Sequence, residues 1–217
     1  MRRLFCRFAT LASIVVLAWQ PAVRADHLGL EPQPISLQSS GPLTFGPWSV
    51  LFVGDPKSAA VYAINTKELT EGAKTTASDW LATKVDDLRV AIAKAAGGGA
   101  SAEAVQVTDI AVDPESGNAF ASVTIDGVPK LFQLTAAGEA KAVSLDKVMT
   151  SKVSLPNPPA DKVTGEGRRA SNKRMESITD LAFAEGRVLA SGLSGDSGAS
   201  TVLAFDFPFR ETTEGTD

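Results

Sequence analysis

Three segments of this chain share one pattern: an apolar strand, a turn carrying Pro or Gly, and a second apolar strand. They run from Leu43 to Val53, from Ile110 to Phe120 and from Leu181 to Ala190. Such repetition constrains the fold more than any local pattern, because a short hairpin unit cannot bury its apolar faces alone and must stack on its neighbours. The equivalent positions Leu43, Ile110 and Leu181 are spaced 67 and 71 residues apart. A four-stranded unit takes about 40–50 residues, so each interval carries an insertion.

The strands themselves are legible. Val50-Leu-Phe-Val53 is a continuous apolar run, which predicts a strand covered on both faces. Gly54 to Lys57 reads as a turn, and Ala60 to Ile64 as the next strand. Trp48-Ser49 stands where a hairpin turn normally carries more flexible residues. Asp113-Pro-Glu-Ser-Gly117 reads as a tight turn, Asp126-Gly127 as a hairpin turn, and Ala137-Gly138 and Glu185-Gly186 as further turns. Lys141 to Met149 reads as one short strand, and Thr201 to Phe207 as the last, stopped by Pro208.

Both insertions show. Between Thr66 and Ala96, Leu81, Val85, Leu88 and Ile92 recur at steps of four, three and four. That spacing predicts one amphipathic helix of about four or five turns, capped at Ser78 or Thr76 and ended by Gly97-Gly-Gly99. The helical insertion covers residues 67–97. Its stripe is expected to pack on the domain it interrupts, with Trp80 as an anchor; a partner-binding helix is the alternative. Residues 155–174 hold three prolines, two glycines and Arg168, Arg169, Lys173 and Arg174 without apolar periodicity, which predicts a surface loop. The chain therefore reads as mainly β: a partial or small β-propeller of antiparallel blades with one inserted amphipathic helix.

Residues 1–25 stand outside this plan. Arg2, Arg3 and Arg7 precede an apolar run from Phe8 to Trp19, and Val23-Arg-Ala25 is a small-residue cleavage signal. This is the layout of a secretory signal peptide, and its apolar run is short of the roughly 20 residues that span a bilayer. The expectation is export to the periplasm or beyond, with no stable membrane anchor after cleavage. Cleavage after Ala25 leaves 192 of the 217 residues and removes four Arg, so 17 basic groups face 25 acidic ones, a net charge of −8. Such a chain does not attract nucleic acid or anionic lipid over its whole surface. Cys6, the one cysteine, leaves with the signal, so no disulfide supports the domain 26–217.

With these residues in view, the chain resembles a family of secreted bacterial β-propellers with WD40-, YVTN- or NHL-like repeats and no assigned activity. The resemblance rests on Gly41-Pro-Leu-Thr-Phe-Gly-Pro47 leading into Leu51-Phe-Val-Gly-Asp55, on Asp109-Ile-Ala-Val-Asp-Pro114 with Gly117, and on Leu155-Pro-Asn-Pro-Pro-Ala-Asp161. Glu176-Ser-Ile-Thr-Asp-Leu-Ala-Phe183 with Ser191-Gly-Leu-Ser194 completes it. The resemblance implies a propeller fold and carries no catalytic residue with it. A closed propeller has at least about four blades, and three units are visible. The expected explanation is the front part of a longer propeller. The alternatives are a fourth blade hidden in the lead-in or the Pro-rich loop, and closure with a partner chain.

Chemistry is sparse. His27 is the lone histidine and sits just past the cleavage point, which argues against a triad, a His-ligated metal or a haem. Gly97-Gly-Gly99 follows a helix rather than opening one, so it is no phosphate loop. The acids Asp55, Asp109, Asp113, Glu176 and Asp180 fall at strand ends, which in a propeller converge on the central channel. Convergent acids could serve acid/base chemistry or hold calcium; acids beside Pro or Gly more often make turn hydrogen bonds. Glu176 and Asp180 are the catalytic candidates, expected on one face of a strand. Asp55, Asp109, Asp113, Arg168 and Arg169 are ligand-binding candidates, and the basic cluster suits an anionic glycan, a phosphate or an acidic partner. No cofactor is implied. The functional expectation is an exported binding or scaffold module for a protein, glycan or small ligand. The alternatives are a propeller hydrolase or lyase using channel carboxylates, and an incomplete fragment of a longer propeller.

Overall fold

The computed structural model describes residues 28–70, 74–81, 87–195 and 197–209. The predicted signal peptide and its expected cleavage point, Cys6, His27, Val85 and the polar tail lie outside them.

Twelve strands among the described residues form three antiparallel sheets. Blade I places β2 (Leu43–Phe45) innermost, then β3 (Val50–Asp55), β4 (Ala60–Asn65), β9 (Val148–Ser154) and β1 (Glu31–Gln33) at the outer edge. Blade II runs outward as β5 (Val105–Val112), β6 (Ala119–Ile125), β7 (Val128–Leu134) and β8 (Ala140–Ala142). Blade III consists of β10 (Asp180–Ala184), β11 (Arg187–Ser194) and β12 (Ala199–Asp206). The three inner strands β5, β2 and β10 lie side by side, with β2 between the other two. This is a three-bladed part of a β-propeller.

The blades do not follow one another in chain order. Blade II is inserted between β4 and β9, so the chain leaves blade I, builds blade II and returns to blade I's outer edge. The order around the axis is II, I, III. The predicted single strand from Lys141 to Met149 is in fact this return: β8 ends at Ala142 in one sheet and β9 begins at Val148 in another.

This order explains the apolar run in β3. Alternate side chains leave opposite faces of a strand. Val50 and Phe52 pack against Leu181, Val188 and Ala190 of blade III, while Leu51 and Val53 pack against Phe120 and Leu131 of blade II. Phe52 is fully buried and stacks on Phe183 at a centroid distance of 5.6 Å and an interplanar angle of 7°. On the other side Phe45 meets Phe120 at 5.9 Å. A strand with both faces covered favours apolar residues at successive positions, as at Val50 to Val53.

The predicted helix is not continuous: the described residues hold α1 (Ala77–Leu81) and α2 (Leu88–Ala96), and α2 starts anew after Asp87. Asp87 is extended, with φ −143° and ψ 110°, and its side chain accepts from the Arg89 N–H as the cap of α2. Ile92 and Ala93 of α2 pack on Val105, Val123, Ile125 and Phe132 across blade II's outer-facing side. Trp80 holds the α1 region by donating its indole N–H to the Gly117 carbonyl at 2.8 Å.

The turns follow their chemistry. Asp126 and Gly127 have φ of 50° and 78°, the two positive values that a tight hairpin turn of this kind requires. Trp48 and Ser49 adopt φ of 61° and 59° without being glycine. That costs roughly 1–2 kcal/mol per residue. Glu115 offsets it by accepting the Trp48 N–H, and the Ser49 carbonyl accepts both the N–H and hydroxyl of Thr66.

Neither place considered for a fourth blade holds one. The lead-in supplies β1, which pairs with β9 and extends blade I. The Pro-rich loop holds one bridge, Thr164 to Ser171, and residues 161–171 are exposed.

Candidate functional site

The three inner strands play one geometric part. Let the front of each blade face along the sense II to I to III. Leu43 and Phe45 point backward from blade I onto blade II, and Leu181 and Phe183 point backward from blade III onto blade I. Ile110 and Val112 point backward from blade II, where the inner strand has no neighbouring blade among the described residues, and are 45% and 55% exposed.

A bulge decides where Asp109 points. The β5–β6 register runs Val107 with Val123, then Asp109 with Ser122, so Thr108 is an extra residue. Strict alternation would place Asp109 on the same face as Val105 and Val107. The inserted residue reverses the parity and turns Asp109 to the front. There its Oδ2 accepts the Leu43 N–H of blade I at 2.8 Å, and its Oδ1 accepts the Ile110 N–H at 2.8 Å. The carboxylate fastens the inner strands of two blades together.

Asp180 is the counterpart on blade III. Its Oδ1 accepts the next N–H, Leu181, at 2.9 Å, as Asp109 does. It pairs across the strands with Ser191, while Leu181 takes the back face against blade I, so Asp180 is on the exposed front. Its Oδ2 has no inner strand to grip among the described residues.

The other predicted acids do not converge with it. Asp55 is fully buried at the β3–β4 end of blade I. It accepts from the Gln38 N–H and the Ser39 hydroxyl, both at 2.7 Å, and from the Ser58 N–H. Asp113 is fully buried at the opposite end, where it accepts from the Glu115 N–H and the Ser116 hydroxyl of its own turn. Both carboxylates accept from local donors and hold turns. The expected convergence of these acids on a channel mouth is not what the fold does. Among the described residues no three His, Cys, Asp or Glu side chains are grouped as metal ligands would be.

Glu176 and Asp180 do not share a strand face. Glu176 ends a single helical turn, Lys173–Glu176, and Asp180 begins β10. Glu176 instead lines a groove of about 420 Å³ on the front of blade III with Thr179, Ser191, Leu193, Ser200 and Val202. The Thr179 hydroxyl lies 3.2 Å from that of Ser191. The groove is a hydroxyl-rich trough with an apolar wall, since Val202 is 66% exposed. Sequence reading missed its β11 and β12 members because Thr201 to Phe207 reads as a strand without showing which of its faces is covered. The available signal was alternation: Leu203 and Phe205 turn toward the core, Val202 and Ala204 away from it.

The basic cluster divides. Lys173 donates to the Ser197 carbonyl at 2.8 Å, and Arg174 donates to the carbonyls of Pro159 and Lys57. These two hold the loop to blades I and III. Arg168 and Arg169 lie in the exposed loop turn Gly167–Arg169.

The shifted carboxyls, Asp79, Asp87 and Glu103, lie elsewhere. A hydrogen bond from Thr76 holds Asp79 below the ordinary carboxylate range, and one from the Arg89 side chain does the same for Asp87. Both are solvated residues of the helical insertion, where they cap helices. No helix among the described residues is long and apolar enough to cross a membrane.

No family model matches this chain, and no curated protein matches it. Among solved structures it is similar to a PQQ-bound aldose sugar dehydrogenase from Streptomyces coelicolor, at 14% identity over 82% of this chain and 49% of that one, with a TM-score of 0.24. It is also similar to a streptogramin B lyase, at 14% identity over 83% of this chain and 45% of that one, with a TM-score of 0.16. The chain thus spans about half the length of each. Likenesses this low say nothing of activity, and the fold assignment rests on the sheet geometry.

Proposed function

We propose that this chain is an exported binding or scaffold module whose working surface is the front of blade III. One observation carries the reading: the front of blade III presents Asp180 and a hydroxyl-lined, apolar-walled groove, whereas the same face of blades II and I is buried against the next blade. Buried Asp55 and Asp113 hold turns, and Asp109 joins two blades. Export is read from the layout of residues 1–25.

The test is affinity capture from a periplasmic or culture-surface extract, with the native chain and Val202→Asp as parallel baits. Val202 is 66% exposed, so the substitution does not disturb the core. A species, a second copy of the chain included, retained by the native bait and lost with Val202→Asp supports the reading. Identical capture by both baits would sink it.

A further inference from the structure

We infer that the front of blade III receives a second copy of this chain, and that two copies close a six-bladed ring. The inference rests on the binding reading and names its partner.

The faces left open are complementary. Among the described residues blade III offers a front face without a partner, and blade II offers the backward-pointing Ile110 and Val112. Inside the chain, faces of these two kinds meet twice, at II–I and at I–III. The II–I junction seats Leu43 and Phe45 against Phe120 and Ala111, and the I–III junction seats Leu181 and Phe183 against Val50 and Phe52. A second copy placed by a two-fold rotation about the propeller axis would repeat this junction at both open ends. Ile110 and Val112 of each copy would then meet Asp180 and Ala182 of the other. Three blades and three make six, inside the usual range of about four to eight for closed propellers. Because the rotation closes, assembly stops at two copies.

Helix α2 fits this arrangement. It lies over blade II's backward face near Val105 and Ile125, at the end of the molecule that carries the Asp126-Gly127 turn. The groove on blade III lies at the same end, beside the chain reversal that follows Ser194. That both ends coincide is fixed by Ser177, just before β10, whose hydroxyl donates to Pro56 in the β3–β4 turn, and by Thr124, whose hydroxyl donates to that of Ser40 before β2. Leu88 and Ile92 face blade II, so Val90 and Lys94, two residues on from each, face away. Val90 is 55% exposed, and Lys94 is exposed. The groove answers both: Val202 and Leu193 supply an apolar wall for Val90, and Glu176 supplies the charge opposite Lys94. The helix replaces the outer strands of the missing neighbour, and the groove is where it seats.

The test is sedimentation velocity and native mass spectrometry of the purified protein across a dilution series. The expected result is a concentration-dependent dimer. Val90→Asp and Val202→Asp, each on an exposed side chain, should each give a monomer with an unchanged circular dichroism spectrum. Lys94→Glu and Glu176→Lys should each weaken dimerisation about tenfold, and the double swap should restore it. A chain that stays monomeric up to its solubility limit overturns the inference. So does a dimer that survives Val90→Asp and Val202→Asp together, or growth into open filaments. A monomer whose Val202→Asp variant still loses a captured partner leaves the binding reading standing and refutes only the second copy; the occupant would then be another chain.

Discussion

Asp109→Ala tests whether one carboxylate joins two blades. The side chain accepts two backbone N–H groups, those of Leu43 and Ile110, each at 2.8 Å. The two losses are unequal. Leu43 is 5% exposed, so its N–H is left without water, a penalty of about 1–3 kcal/mol. Ile110 is 45% exposed and its N–H rehydrates, which limits that loss to about 1 kcal/mol. The expected destabilisation is about 2–4 kcal/mol. Asp109→Asn keeps one neutral acceptor and should cost about half as much. Asp180→Ala, which removes only the bond to the Leu181 N–H on an exposed face, should cost about 1 kcal/mol or less in the dissociated protein. Urea denaturation followed by tryptophan fluorescence, at protein concentrations low enough for the monomer, measures all three. Equal losses for Asp109→Ala and Asp180→Ala would refute the claim that the bulge at Thr108 turns Asp109 into a fastening between blades.

Further predictions follow from packing and capping. Phe52 touches Phe183, Phe207 and Phe209 at 5.6, 5.0 and 5.9 Å, so Phe52→Ala should cost about 3–5 kcal/mol in urea denaturation; a loss below about 1.5 kcal/mol would mean that blades I and III do not share a core. Gly117→Ala would place a Cβ 1.8 Å from the Thr75 carbonyl oxygen at a φ of +73°, so it should release the segment around Trp80, seen as faster amide exchange at Thr75. Unchanged exchange there would contradict the contact. The Asp87 carboxyl is held below its ordinary value by the Arg89 side chain and then by the Arg89 N–H. A depressed value means that its capping contribution is complete above the unfolded carboxyl's pKa and is lost as pH falls through the lower, folded one. The Arg89 amide proton should therefore titrate with a midpoint below that of an ordinary aspartate, and a midpoint at or above it would be the contrary result.

Much of the local structure was present in the chain's own pattern. Val50 to Val53 announced a strand covered on both sides. Asp126-Gly127 and Glu185-Gly186 announced their turns, because few residues accept the backbone angles those turns need. Glycine and β-branched residues act locally, and local chemistry is what a sequence states directly. The helical stripe at Leu88 and Ile92 was legible for the same reason, but Asp87 broke the helix that the periodicity joined, since a carboxylate capping its neighbour's N–H competes with continuation.

What tertiary structure alone decided was parity and partnership. Whether Asp109 faces forward or backward turns on one extra residue, Thr108; the apolar spacing Val105, Val107, Ile110, Val112 slips there by one position, but only the pairing of β5 with β6 shows that slip to be a bulge. Blade order turned on the return of β9 to the first sheet, a long-range pairing that neither strand encodes by itself. The acids that looked alike in sequence were separated by the same means: Asp55 and Asp113 met donors and were buried, while Asp180 reached the exposed front of blade III and, among the described residues, accepts from its own neighbour Leu181. A side chain's role in this protein depends on which sheet lies across from it, and that neighbour comes from a distant part of the chain.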